Sequence, residues 1–330
     1  MNSLQLPLRA IYLLFISMMP PKVNAAYILI IESYHADYHW DMEYKKGITD
    51  NLSSEHHFSF FQMDTKRLPI GEHMAMVERA WQKYLALKPD IVVLADDNAL
   101  RYLGPRFKNT STPVVYLGIN NNPRNYELYK AANFTGVLER PLLKRSILYL
   151  NKLVGNVDKV LVLFDNSPSS VAAVGMEFKK ANVIKLGEIL VEVGLVSQYS
   201  EWQQKVLSAK VNEIDFIVVG LYQTLRDGNG NHINAEQVIE WTSTNSDVPV
   251  FGFWGYSIGE NKAIGGLVIE GYEQGYTAAQ IIKQIVAGEG VDKIRPKVAK
   301  KGSYIFSQAE VEKHKIMIPA NMMSAITWVK

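Results

Sequence analysis

Apolar runs bounded by turn residues alternate along this chain with segments whose apolar residues recur at helical spacing. The runs at 27–32, 57–62, 90–95 (Asp-Ile-Val-Val-Leu-Ala) and 113–117 (Pro-Val-Val-Tyr-Leu) predict strands. Between them, 41–53, 72–87 and 98–107 predict helices. In the middle helix Met74, Val77, Trp81, Tyr84 and Leu85 share one face and read as core. A second series follows. Strands are predicted at 159–164, 184–191, 214–219 and 249–253, and helices at 141–153, 168–181, 198–209 and 234–245. Strands rich in Val, Ile and Leu, separated by helices, predict parallel sheets buried on both faces. Two such series predict an α/β protein of two doubly wound lobes.

Composition narrows the picture. The 330 residues are enough for two cores, and 48% hydrophobic with 21% charged residues describes a globular chain. A net charge of +2, with no basic run interleaved with aromatics, argues against nucleic acid as a partner. Residues 1–25 read as a secretory signal peptide. Arg9 precedes the apolar stretch Ala10–Met19, Pro20 and Pro21 break it, and Val23-Asn24-Ala25 suits cleavage after Ala25 or Ala26. The stretch is short for a membrane span, so an N-terminal anchor is the weaker alternative. Loss of Arg9 and Lys22 would leave the acidic and basic residues balanced. With no cysteine, neither a disulfide nor a lipidated cysteine is available. The expected product is free in a periplasm, unlipidated and stable through its cores.

In open α/β sheets ligands bind beyond the carboxyl ends of the strands. Polar residues stand at those positions here. Tyr34 and His35 follow the first strand, Asp96, Asp97 and Asn98 the third, and Gly118, Asn120 and Asn121 the fourth. In the second series Asp165, Asn166, Ser167 and Ser169 follow one strand, Tyr222 and Gln223 another, and Trp254 the last. Trp40 can reach the same region from the first helical turn. Each loop also has a purely structural reading. Asp96, Asp97, Asn98 and Ser167 suit helix caps, the triple Asn suits a turn, and Trp40 suits core under the loop. Six such loops together favour a cleft.

Several segments resemble ABC-transporter substrate-binding proteins, a family that includes tryptophan and tyrosine binders. They are Thr112-Pro-Val-Val-Tyr-Leu-Gly-Ile-Asn120, Asn133-Phe-Thr-Gly-Val137, Pro249-Val-Phe-Gly252, Gly265-Gly266 and Gly275-Tyr-Thr-Ala-Ala279. Near the C-terminus Pro296, Tyr304-Ile-Phe306 and Ile316-Met-Ile-Pro319 continue the likeness. The resemblance implies the type I periplasmic binding protein fold, two Rossmann-like lobes joined by three crossovers that close by hinge motion. It places crossovers near 137–141, 267–270 and 297–302. The N-terminal lobe would then be 26–138 plus 269–298, and the C-terminal lobe 139–268 plus 299–330. A helix at 271–287 would return to the first lobe, and a strand near 303–306 with its helix to the second. Residues 33–41 are more aromatic and richer in His than the family's common pattern, and the third-strand loop is more acidic.

Rival motifs are weaker. Gly255-Tyr-Ser257-Ile-Gly259 matches a hydrolase nucleophile elbow, which needs a helix after the serine, and only His314 lies downstream as a base. An exported serine hydrolase is the weak alternative. Asp227-Gly-Asn229-Gly-Asn231 begins like a calcium loop but has His232 where Gly is needed and Val238 where Glu is needed. His35, Asp37, His39 and Asp41 alternate like zinc ligands, yet Asp37 suits a turn and Asp41 a helix start. No cofactor is expected. The acidic loops disfavour a polyanion. They suit an amino-acid-like ligand whose ammonium meets an Asp and whose carboxylate meets helix amides after Asn166-Ser167, while aromatics hold a ring. A sugar is the alternative. The expected role is delivery to an ABC permease by a monomer, or presentation to a membrane kinase or chemoreceptor.

Overall fold

The computed structural model describes residues 25–128, 131–179, 181–299 and 302–330. The signal-peptide reading of 1–25, apart from Ala25, and part of the third expected crossover lie outside the described residues. The first sheet takes β1 (Tyr27–Glu32), β2 (His57–Gln62), β3 (Ile91–Ala95), β4 (Val114–Ile119) and β5 (Phe134–Leu138). Its helices are α1 (His39–Thr49), α2 (His73–Leu87) and α3 (Asp96–Phe107). After α4 (Leu143–Val154), a second sheet is built from β6 (Lys159–Asp165), β7 (Val183–Leu186), β8 (Ile189–Val196), β9 (Phe216–Val219) and β10 (Val250–Gly252). Its helices are α5 (Pro168–Phe178), α6 (Tyr199–Leu207) and α7 (Ala235–Asn245). The chain continues through β11 (Gly265–Val268), α8 (Gly271–Val286), β12 (Lys297–Val298), β13 (Ser303–Ser307), α9 (Gln308–Lys313), α10 (Ala320–Met323) and β14 (Ile326–Val329).

Strand order in the first sheet is β12-β5-β4-β3-β1-β2, all parallel, and in the second β10-β9-β6-β8-β7. A three-stranded sheet, β11-β13-β14, completes the molecule. These are two doubly wound α/β units. The chain passes from the first sheet to the second after β5. It returns through α8, which packs against α1, to β12, and then crosses again to β13. β1, β3 and β4 are buried almost throughout because helices cover both faces.

The structure departs from the sequence reading in a few places. The run 184–191 is not one strand. Gly187 adopts φ 65°, a left-handed conformation that glycine reaches at no steric cost, and the chain reverses into the antiparallel pair β7–β8. β5 comes from 134–138, a stretch that sequence reading used only as a motif and a crossover. α3 starts at Asp96 rather than at 98.

Register explains why the strand-end loops meet. Glu32 pairs with Ala95 and Ala95 with Leu117, so the loops after β1, β3 and β4 emerge side by side. Leu163 pairs with Val219 and Val219 with Gly252, which does the same after β6, β9 and β10. The two sets of loops face each other and touch. Tyr34 and Ser169 hydroxyls lie 3.4 Å apart, Lys66 Nζ donates to Gln223 Oε1 at 3.2 Å, and the Tyr38 and Tyr256 rings are 5.8 Å apart.

Candidate functional site

Between the two sets of loops lie an outer cavity of about 360 Å³ and an inner niche of about 10 Å³. The first is at the lower end of the size expected for small-ligand sites, and the second has room for one water-sized group. Tyr34, Lys66 and Ser169 form walls of both.

The niche is aromatic and acidic. Tyr34, Tyr38, Trp40, Trp254 and Tyr256 line it together with Asp96, Asn120 and Glu139. Asp96 sits where β3 turns into α3, with φ 68°, a conformation costly for any residue with a side chain. Its Oδ1 accepts from Trp40 Nε1 at 3.2 Å, while Oδ2 is buried without a partner. Asn120 Oδ1 is likewise buried and unpartnered. Burial raises the Asp96 pKa well above the ordinary range, and neighbouring Asp41 and Glu139 push it the same way. Gly118 stands beside it with φ 67°, and a Cβ there would come within 2.7 Å of Asp96 Oδ1. The absence of a side chain at 118 is what gives the carboxylate its space.

Glu139 joins the two halves of the niche. Its carboxylate accepts from Asn120 Nδ2 at 2.8 Å and from Trp254 Nε1 at 3.0 Å. Burial lifts its pKa from 4.5 to about 8. A carboxyl that is harder to ionise when folded adds stability fully present below its ordinary pKa and lost as pH rises through its folded value. Thermal melts should therefore show Tm falling by about 5 °C or more between roughly pH 4.5 and pH 8. Glu43, lifted by burial to about 7, contributes in the same direction. Glu139→Gln removes the Glu139 part of the slope, and an unchanged profile in that variant would assign the slope elsewhere.

The outer cavity has the opposite polarity. Lys66, Arg101 and Arg226 line it, with Asn98, Asn166, Ser167 and Thr224, and no Asp or Glu among the described residues does so. The α5 N-terminus opens onto it, capped by Ser167 Oγ accepting from Ser170 N. Lys66 is 4% exposed, and its Nζ lies 4.3 Å from the Tyr34 ring centre and 4.7 Å from that of Tyr38. Burial lowers its pKa, against the pull of Asp165 and Asp96.

The other residues expected from sequence take varied positions. Asp97 accepts from Asn120 N, Asn121 N and the Tyr126 hydroxyl, so it holds the β4 loop in shape. Asn121 lines neither cavity. Asp165 accepts from Ser167 N, Ser170 Oγ and Thr224 N. Asn98 donates to Thr65 Oγ1, and Gln223 Oε1 also accepts from Tyr222 N. Tyr222 is buried between Trp202 and Tyr256. His35 lies beside Asp64 at 3.5 Å and Asp37 at 3.9 Å, outside both cavities. His39 instead faces Glu43 at 3.3 Å. Among the described residues no three His, Cys, Asp or Glu side chains converge as a metal site requires. Ser257 is fully buried in a short 3-10 turn, its hydroxyl donating to the Trp254 carbonyl at 2.7 Å, and no helix follows it. A nucleophile elbow has neither feature.

Sequence reasoning missed Lys66 and Glu139, and it placed the loops of Tyr38 and Tyr256 without singling out either residue as a ligand contact. Lys66 follows β2, and extending the strand-end rule to that strand would have found it. Tyr38 lies inside the 33–41 stretch already singled out. Glu139 follows β5, a strand the apolar pattern did not separate from the crossover.

Known structures share this architecture. A conserved domain protein from Vibrio cholerae superposes with a TM-score of 0.70 at 16% identity, over 93% of this chain and 100% of its own. A Streptococcus pneumonia ABC domain in complex with L-Trp gives 0.69 at 18% identity, over 93% and 100%. A ligand-free, open substrate-binding protein with adhesive properties from Clostridium difficile gives 0.65 at 14%, over 93% and 99%. At these identities the likeness is one of fold, that of the type I periplasmic binding proteins. No curated protein matches the chain. The family model for ABC transporter substrate binding proteins, however, matches residues 82–330, most of the chain, from within α2 to β14, and so takes in the loops after β3 and β4 and the whole second set but not those after β1 and β2. This chain belongs to the ABC transporter substrate-binding protein family.

Proposed function

We propose that the protein captures a small amine-bearing, amino-acid-like solute between its lobes and delivers it to an ABC permease on the outer side of a membrane. One observation carries the ligand class. The Asp96 carboxylate is held in a strained backbone conformation inside an aromatic niche, with one oxygen left without a donor. A primary ammonium supplies that donor and its charge, and the ring faces around it favour a cation. A sugar hydroxyl supplies the donor without the charge, so the amine is the better match. The chain's own two loop sets build both walls, and a monomer is therefore sufficient. No described helix is long and apolar enough to cross a membrane, which suits an exported protein working free of the bilayer.

The test is native mass spectrometry of residues 26–330 as purified and after unfolding and refolding, followed by a thermal-shift screen of amino acids, amines and sugars. The expected result is a small retained mass lost on refolding and a Tm increase with an amino acid. A screen in which only sugars raise Tm would overturn the amine assignment.

A further inference from the structure

Lys66 is unusual for a buried charge. Its ammonium has three donors, yet its one side-chain hydrogen bond is to the neutral Gln223 Oε1 at 3.2 Å. No carboxylate lies within 4.0 Å of it among the described residues, although such pairs occur for Lys45, Lys159 and Lys262. Two tyrosine rings cover the rest of it. Asp165 and Asp96 act on the ammonium only from a distance. Burying it without a directly bonded anion is costly, and cation–π contacts offset that cost only in part. The charge also stands at a boundary. On one side is the niche with Asp96 and Glu139, and on the other the outer cavity, which has no acidic wall among the described residues.

We infer that Lys66 is the receptor for a carboxylate on the ligand and thereby selects zwitterions over simple amines. The inference rests on the amine reading above and adds the second charge. A ligand with its ammonium on Asp96 in the water-sized niche has its remaining atoms directed past Lys66 and Tyr34 into the outer cavity. A carboxylate next to the amine then meets the unpaired ammonium. It supplies the charge-assisted partner that Lys66 lacks. An uncharged group at that place would leave Lys66 unpaired and further desolvated. Arg226 is committed elsewhere, donating to Gly230 O and to the Arg67 and Leu68 carbonyls.

The experiment takes residues 26–330 and all twenty common L-amino acids in titration calorimetry. The tightest binder is then compared with its methyl ester and its decarboxylated amine, on wild type, Lys66→Met and Lys66→Arg. The wild type should prefer the free acid to either analogue by about 30-fold or more. Lys66→Met should lose that preference, so that acid and ester bind alike, while Lys66→Arg keeps it. Equal binding of acid and ester by the wild type would overturn the inference while leaving the amine reading intact. So would a preference that survives in Lys66→Met. If no amino acid binds but simple amines do, Lys66 selection fails and Asp96 recognition stands. If neither binds, both readings fail. Should Lys66→Met not fold, the wild-type acid-to-ester ratio still decides.

Discussion

Asp96→Asn is expected to lower affinity for the physiological ligand about 100-fold or more while leaving the fold intact. The amide keeps an oxygen for Trp40 Nε1, the bond that now fixes the side chain at 3.2 Å. It cannot pair with an ammonium, and it presents N–H donors toward a group that is itself a donor. Stability should stay level or rise slightly. The charged form of Asp96 is disfavoured by burial and by Asp41 and Glu139, so its removal relieves repulsion in the empty site. Calorimetry with the ligand found by mass spectrometry measures the first effect, and thermal melts the second. An affinity within about 3-fold of wild type would move ammonium recognition away from Asp96, with Glu139 as the next carboxylate in the niche.

The architecture was legible in the sequence to a large extent, and the site only in outline. Val, Ile and Leu runs such as 91–95 and 216–219 are buried on both faces, and that demand leaves a strong apolar signal. The hairpin at 183–196 was not legible because its strands alternate buried and exposed residues around Gly187, and half of that pattern falls outside the apolar run. Strand ends locate the cleft by topology, so Tyr34, Asp96, Asn120 and Trp254 could be named in advance. What each does there depends on hydrogen bonds that spacing does not encode. Asp96 and Asp97 are adjacent in sequence. One has three donors and shapes a loop, whereas the other has a single donor and a free oxygen. Lys66 escaped because loop lysines are ordinarily solvated, and its burial arises only when the opposite loops close over it.

Gly275→Ala is expected to destabilise the protein by about 3 kcal/mol, although alanine is the better helix former. The two effects can be weighed. Replacing glycine inside a helix gains about 1 kcal/mol of propensity. Against this, a Cβ at 275 would collide with the Tyr44 carbonyl and lie 2.8 Å from Tyr44 C. Both are backbone atoms of α1 and cannot swing aside. α1 and α8 meet at backbone contact along their length. A Cβ at Gly47 would collide with the Tyr272 carbonyl, and one at Gly271 would lie 2.7 Å from the Trp40 carbonyl. Overpacking therefore has to separate the helices, and it exceeds the propensity gain. The consequence reaches the site, because α1 carries Trp40 behind Asp96 and α8 carries Gln274, whose Oε1 accepts from Gly118 N at 3.4 Å. Urea unfolding should show a lower midpoint with an unchanged slope, and ligand affinity should fall with it. Lost stability with unchanged affinity would show that the niche is fixed by the sheet loops alone. Loss of both would make the α1–α8 contact part of what positions the ligand-facing carboxylate.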